Sequence, residues 1–134
     1  MTDLNETIYA AMPLCRTLGI VTRTWQADLV EMELTWDASL CTTAGLLHGG
    51  AVMALADSAG GACAAANLPE GATGTSTIES KTNFLGAVKD GVVTATARPL
   101  HVGSTTIVVE TEVRRADGKL VAKTTQTQAV LRPR

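Results

Sequence analysis

The chain has 134 residues, 46% of them hydrophobic and 18% charged, with a net charge of −2, the profile of one folded domain with a core and not of a disordered chain. The near-neutral charge and the 3% aromatic content exclude a basic, base-stacking nucleic-acid surface. Three cysteines, Cys15, Cys41 and Cys63, form no even set and no C-x-x-C pair, which fits a reducing cytoplasm with neither a disulfide framework nor a zinc site. The first fifteen residues lack a cationic start and an apolar core, so no signal peptide is expected. The longest apolar run, 51–66, is interrupted by Asp57 and Ser58 and is too short to span a bilayer, so a soluble protein of the cytoplasm is expected.

Residues 3–11 predict a short helix, capped by Asp3 or Asn5 and ended by Pro13. Residues 19–24 predict a strand, and a turn at Gln26-Ala27-Asp28 leads into a second. There Val30, Met32, Leu34 and Trp36 alternate with Glu31, Glu33 and Thr35, a period of two with one wet face. Residues 37–47 are polar and irregular and predict a loop. A long helix follows over about 50–66, stopped by Asn67-Leu68-Pro69-Glu70-Gly71. From residue 73 onward Thr, Val and Ile recur, and four strands are expected at about 74–85, 91–101, 105–115 and 119–131, with hairpin turns at Asp90-Gly91, Val102-Gly103 and Asp117-Gly118. In the third of these, Ile107, Val109, Thr111 and Val113 share one face.

The order β-β-α-β-β-β-β has one long helix that is apolar nearly all round and must be buried. A curled antiparallel sheet of about six strands wrapped around it achieves that, an α+β architecture in one domain spanning 1–134. The helix carries a single acid, Asp57, among alanines and glycines. Burying that charge costs several kcal/mol unless something compensates, which makes Asp57 the candidate reactive group. The helix entry, Leu47-His48-Gly49-Gly50, offers unpaired N–H groups at a positive dipole end, with glycine permitting close approach.

His48-Gly49-Gly50 with Leu55-Ala56-Asp57 nine positions after His48, then Thr77-Ile78-Glu79-Ser80-Lys81-Thr82-Asn83-Phe84-Leu85, resembles the hot-dog thioesterases of the phenylacetate-pathway (PaaI-like) type, and 117–122 is similar to that family's last hairpin. The resemblance covers about residues 15–131. It implies the hot-dog fold, homodimers that pair into homotetramers, and hydrolysis of acyl-coenzyme A thioesters. No cofactor is implied, since coenzyme A belongs to the substrate. Neither a metal, a nucleic acid nor a membrane partner is expected.

On this reading the Gly49 N–H, with Gly50 beside it, polarises the thioester carbonyl, and His48 orients the turn or donates to the thioester. Asp57 attacks the carbonyl or serves as general base on a water; the structural alternative is a carboxylate held by an Asn or Lys partner. Ser76, expected on a helix-facing strand face with Ile78 and Phe84, is the hydroxyl that the resemblance implies for positioning the water, and Thr73, Thr75 and Thr77 are similar polar neighbours with weaker claims. The family often carries Asn or Gln six residues before the histidine; here stands Thr42, with Thr43 beside it. Glutamate-type relatives often carry a hydroxyl four residues after the acid, where this chain has Gly61. Thr43, Leu47, Gly50, Ser58 and Gly61 border these positions and are the expected substrate-binding residues. Lys81, Lys89, Arg98, Arg114, Arg115 and Lys123 are candidates for the coenzyme A phosphates.

Nine helical residues rise about 13.5 Å and turn about 900°, so the helix entry and Asp57 point away from each other. Both can reach one carbonyl only if Gly49 of one chain meets Asp57 of another across a twofold axis. Ala54, Gly60, Gly61 and Ala64 would permit that approach, or else pack against the chain's own sheet. The alternatives to hydrolysis are another hot-dog acyl-thioester enzyme, a hydratase or dehydratase, and a non-catalytic acyl-CoA-binding module.

Overall fold

The computed structural model describes residues 3–134. Helix α1, Leu4–Ala11, begins at Asp3, whose carboxylate accepts the Asn5 N–H at 2.9 Å and satisfies one orphan donor of the first turn. Pro13 does more than stop α1. It is the first residue of a second helix, α2 (Pro13–Leu18), that the sequence did not announce, and there its missing N–H has no bond to lose. Gly19 closes α2 in the left-handed region, at φ 75°. The Asn5 side chain then fastens α1 to strand β1 (Val21–Gln26), accepting the Thr22 N–H at 2.7 Å.

Strands β1, β2 (Leu29–Thr35), β3 (Gly74–Phe84), β4 (Val92–Val102), β5 (Thr106–Arg115) and β6 (Leu120–Leu131) form one antiparallel sheet in the order β1-β2-β4-β5-β6-β3. The period-two pattern decides its inner face: Val30, Met32 and Leu34, Val93, Ala95 and Ala97, and Ile107, Val109 and Val113 are all buried. Helix α3 (Gly49–Ala65) lies against that face and buries Leu55, Ala56, Ala59, Ala62, Cys63 and Ala64 there. The fold is the expected one, a six-stranded antiparallel sheet wrapped around one long helix, with three α-helices among the described residues.

Two expectations change. Asp90-Gly91 bends the chain but makes no hairpin. β3 pairs with β6 at the far edge, while β4 lies between β2 and β5. The connection therefore crosses the molecule, held by Trp36 N–H to Gly91 O at 2.8 Å and Leu47 N–H to Val88 O at 2.9 Å. An Asp-Gly pair encodes a local bend and carries no information on which strand comes next.

Nor is α3 buried all round. Gly50, Met53, Asp57 and Ala65 are exposed and Ala54 and Gly61 half-buried, a stripe at three- and four-residue spacing turned away from the sheet. Of the four small residues singled out, Gly60 and Ala64 pack on the chain's own sheet, and Ala54 and Gly61 lie on the open stripe.

Candidate active site

The loop before α3 sets the position of His48. Asp37 caps a 3-10 turn, Ala38–Leu40, and its carboxyl is held below the ordinary carboxylate range by the Ser39 hydroxyl and N–H. A Cys41–Leu47 bridge closes the loop, the His48 N–H donates to Leu40 O at 2.9 Å, and Trp36 Nε1–H ties Gly45 O at 3.0 Å. Inside the loop Ala44 sits at φ 63°, a strained left-handed position for a residue with a Cβ. His48 is thereby placed as the N-cap of α3, with extended backbone, and its Nδ1 accepts the Gly50 N–H at 2.7 Å. With Nδ1 an acceptor, the neutral imidazole carries its proton on Nε2 and can donate from there.

The Ala51 and Val52 N–H groups bond back to His48 O at 2.9 and 3.2 Å. Among the described residues no acceptor takes the Gly49 N–H. Gly49 is thus the one free donor at this helix entry, and the Gly50 N–H, considered with it, is committed to His48. A Cβ at Gly49 would meet the Phe84 ring at 3.2 Å. Outside this turn lies an open apolar groove lined by Leu14, Leu18, Leu40, Ala51 and Ala54.

Asp57 stands two and a half turns further along, on the open stripe and at the edge of a different cavity of about 310 Å³. That cavity is walled by Ile8 of α1, Met12 between α1 and α2, Trp25 of β1, Gly61 and Ala65 of α3, and by Thr75, Thr77 and Gln128. Trp25 is pinned there by its Nε1–H, which donates to Ala62 O at 2.8 Å. Asp57 is therefore not the buried charge expected from its neighbours in sequence, since the sheet covers Ala56 and Ala59 and leaves Asp57 at its open edge. Its Oδ1 accepts two bonds, from Thr77 Oγ1 at 3.3 Å and from Gln126 Nε2 at 3.1 Å. Thr77 Oγ1 in turn accepts from Gln128 Nε2 at 2.7 Å, which leaves the threonine proton free to point at Asp57.

Thr77 occupies the place expected for Ser76. Ser76 pairs with Ala129 on the outer face, and Thr77 pairs with the buried Gln128 on the inner one. A β-bulge between Thr77 and Glu79 inverts the phase of β3, so counting in twos from Phe84 back to Ser76 gives the wrong face. Ile78, at the bulge, is 63% exposed. Other expected residues also lie elsewhere. Ser58 is buried and donates to Ala54 O at 2.7 Å, and Leu47 is a core residue. Thr42 and Thr43 are exposed in the loop turn, where the Thr42 N–H bonds Leu46 O, and neither lines the Asp57 cavity. Gly50 borders the groove at the helix entry, and Gly61 lines the cavity with Asp57. Gln126 and Gln128 were not anticipated. Their signal is the inward period of β6, on which Ala122, Thr124, Gln126 and Gln128 are all buried.

Among the candidate phosphate ligands, Lys123 pairs with Glu110, Arg114 with Glu112 at 2.6 Å and Arg115 with Asp117 at 2.7 Å, all on the outer side of the sheet or its turn. The Arg115 guanidinium and the Lys119 N–H hold the Asp117 carboxyl down to about 2.

Residues 44–122 match the model of the Thioesterase superfamily. An esterase-named protein of Vibrio cholerae is 38% identical over 90 residues, covering 67% of this chain and 59% of that one. The 1,4-dihydroxy-2-naphthoyl-CoA hydrolase of Escherichia coli is 32% identical over 104 residues, covering 78% of this chain and 76% of the enzyme. The crystal structure of a thioesterase from Haemophilus influenzae superposes with a TM-score of 0.88 at 26% identity, over 98% of this chain and 92% of that one. The matched segment contains the helix entry, Asp57 and the bulged strand β3. The chain belongs to the Thioesterase superfamily, with the hot-dog fold, and is a hydrolase of thioesters.

Proposed function

We propose that the protein hydrolyses acyl-coenzyme A thioesters in the manner of the phenylacetate-pathway type, in the cytoplasm, at sites built between two copies of the chain. The observation that carries this reading is the pairing of a free Gly49 N–H with an Asp57 carboxylate anchored through one oxygen, on opposite sides of one helix. The open stripe of α3 supports the assembly: an antiparallel pair whose twofold axis passes near Met53 and Ala54 sets Gly49 and Gly50 of one copy opposite Asp57 of the other. β3 adds an edge with unpaired backbone groups that a second copy can complete, and such dimers pair into tetramers.

In such a site the acyl group enters the cavity beside Asp57, and the carbonyl oxygen meets the Gly49 N–H of the facing copy. Asp57 Oδ2, which no donor holds among the described residues, takes a proton from water or attacks the carbonyl itself. In the water route the water oxygen bonds to the carbonyl carbon, and the oxyanion forms against the Gly49 N–H. Collapse then breaks the C–S bond, and the coenzyme A thiolate takes up the proton. No cofactor enters, because coenzyme A leaves as product.

Thiol release from short, long and aromatic acyl-CoAs tests the activity, and Asp57→Asn is expected to lose at least a hundredfold in kcat with the assembly intact. Full turnover in Asp57→Asn removes Asp57 from the chemistry. Gly49→Pro deletes the N–H at the first helical position, where His48 already has the extended backbone that precedes proline and where the Phe84 ring must give by a few tenths of an ångström to admit the new Cβ. Each variant alone is expected to be inactive, and a co-refolded mixture is expected to recover about a quarter of the wild-type rate, because half the dimers are hybrids with one intact site of two. A mixture that stays inactive overturns the shared site.

A further inference from the structure

We propose that Gln126 is the positioning residue of Asp57, and that Gly60 exists to seat its amide; the proposal rests on the role of Asp57 given above. Gln126 projects from β6 under α3 and is 1% exposed, among Val109 and other buried residues of the inner face. A side chain there has only packing to gain from its carboxamide, and an apolar residue of the same length would fill the space without a polar atom. The amide is not even fully satisfied: Gln126 Oε1 is buried with no partner among the described residues. Such an orphan is a standing cost that persists where the other end of the group has work to do.

That other end is Nε2, which donates to Asp57 Oδ1 at 3.1 Å. A carboxylate oxygen accepts the N–H, whereas the same amide turned over would set Oε1 against it. Gly60, one turn after Asp57, makes the berth. A Cβ there would stand 1.9 Å from Gln126 Oε1 and 2.4 Å from Cδ, so the amide fits only against a bare Cα. Glycine within a helix is otherwise a cost, and its φ here lies outside the left-handed region, so the contact with Gln126 is what explains it.

Gln128, two residues on along the same face, reinforces the arrangement. Its Nε2 donates to Thr77 Oγ1 at 2.7 Å and so commits the Thr77 proton to the same Oδ1. β6 thus presents two amides that hold one oxygen of Asp57, directly and through a hydroxyl, and aim Oδ2 at the cavity.

The experiment compares wild type, Gln126→Leu, Gln126→Met and Gly60→Ala in acyl-CoA hydrolysis across pH, with melting temperature as the control for folding. Gly60→Ala favours the helix and dislodges the amide from the opposite side, so it keeps the test alive if the Gln126 variants fold poorly. In every folded variant kcat is expected to fall about tenfold with KM within twofold. Gln126→Glu, which donates only when protonated, is expected to restore part of kcat at the acid end alone. A folded variant with wild-type kcat overturns the proposal, as does a loss confined to KM. A wild-type protein that releases no thiol, or full activity in Asp57→Asn, defeats the proposed function instead. An inactive Asp57→Asn beside a fully active Gln126→Leu defeats the positioning role alone.

Discussion

Replacing His48 by alanine separates the structural part of the helix entry from its chemistry. In the folded chain the imidazole accepts the Gly50 N–H at 2.7 Å, and among the described residues this is the only side-chain bond to the first turn of α3. No acid stands in that turn to compensate through the helix dipole. An N-cap replaced by alanine costs about 1 kcal/mol. For a chain of this length that lowers the melting temperature by about 3–4 °C. His48→Asn keeps a short acceptor at a position where asparagine caps well, so calorimetry is expected to show the melting temperature restored to within about 1 °C. Activity follows a different rule. The alanine variant frees the Gly50 N–H and loosens the turn that aims Gly49, while the asparagine variant mends the turn but cannot reach outward as Nε2–H does. Thiol release in His48→Asn is expected to stay about tenfold down, the worth of one lost hydrogen bond. A His48→Ala protein that melts with the wild type refutes the cap, and full kcat in His48→Asn refutes the Nε2–H donor.

Ala65→Leu places three more carbons in the cavity of about 310 Å³ beside Asp57, so kcat/KM for aromatic and long-chain acyl-CoAs should drop at least tenfold relative to acetyl-CoA; an unchanged ratio removes this cavity from the acyl site. Burial, and after it the Asp28 charge, pushes the Cys63 thiol up to about 11, so iodoacetamide at pH 8 should modify the half-buried Cys41 and spare Cys63 and Cys15 in the native protein. The unfolded thiol ionises near its ordinary value of 9.0 while the folded one keeps its proton. Between about pH 9 and 11 the unfolded state then binds fewer protons, and stability falls as pH rises; urea titrations across that window that show no fall in a Cys63→Ala-corrected comparison contradict the assignment.

The sequence determined the parts that depend on short-range periodicity. Alternation over residues 30–36 and 107–113 fixed which side chains line the sheet, because a strand's faces repeat every two residues whatever its neighbours are. The nine residues from His48 to Asp57 fixed that the two ends of the candidate chemistry point apart, because helical rise and twist are constant. Proline and glycine signals placed the breaks, although Pro13 proved to open a helix as well as close one.

Tertiary structure decided what sits opposite what. One extra residue in β3 turned Ser76 outward and brought Thr77 to Asp57, and no local signal marks a bulge in a strand of alternating threonines. The exposure of Asp57 followed from which face of α3 the sheet covers, a choice that a helix of alanines and glycines leaves open in its own sequence. The amides of Gln126 and Gln128 lie 69 and 51 residues from the groups they hold, and only the order of strands, with β6 beside β3 and beneath α3, gathers them around one carboxylate oxygen.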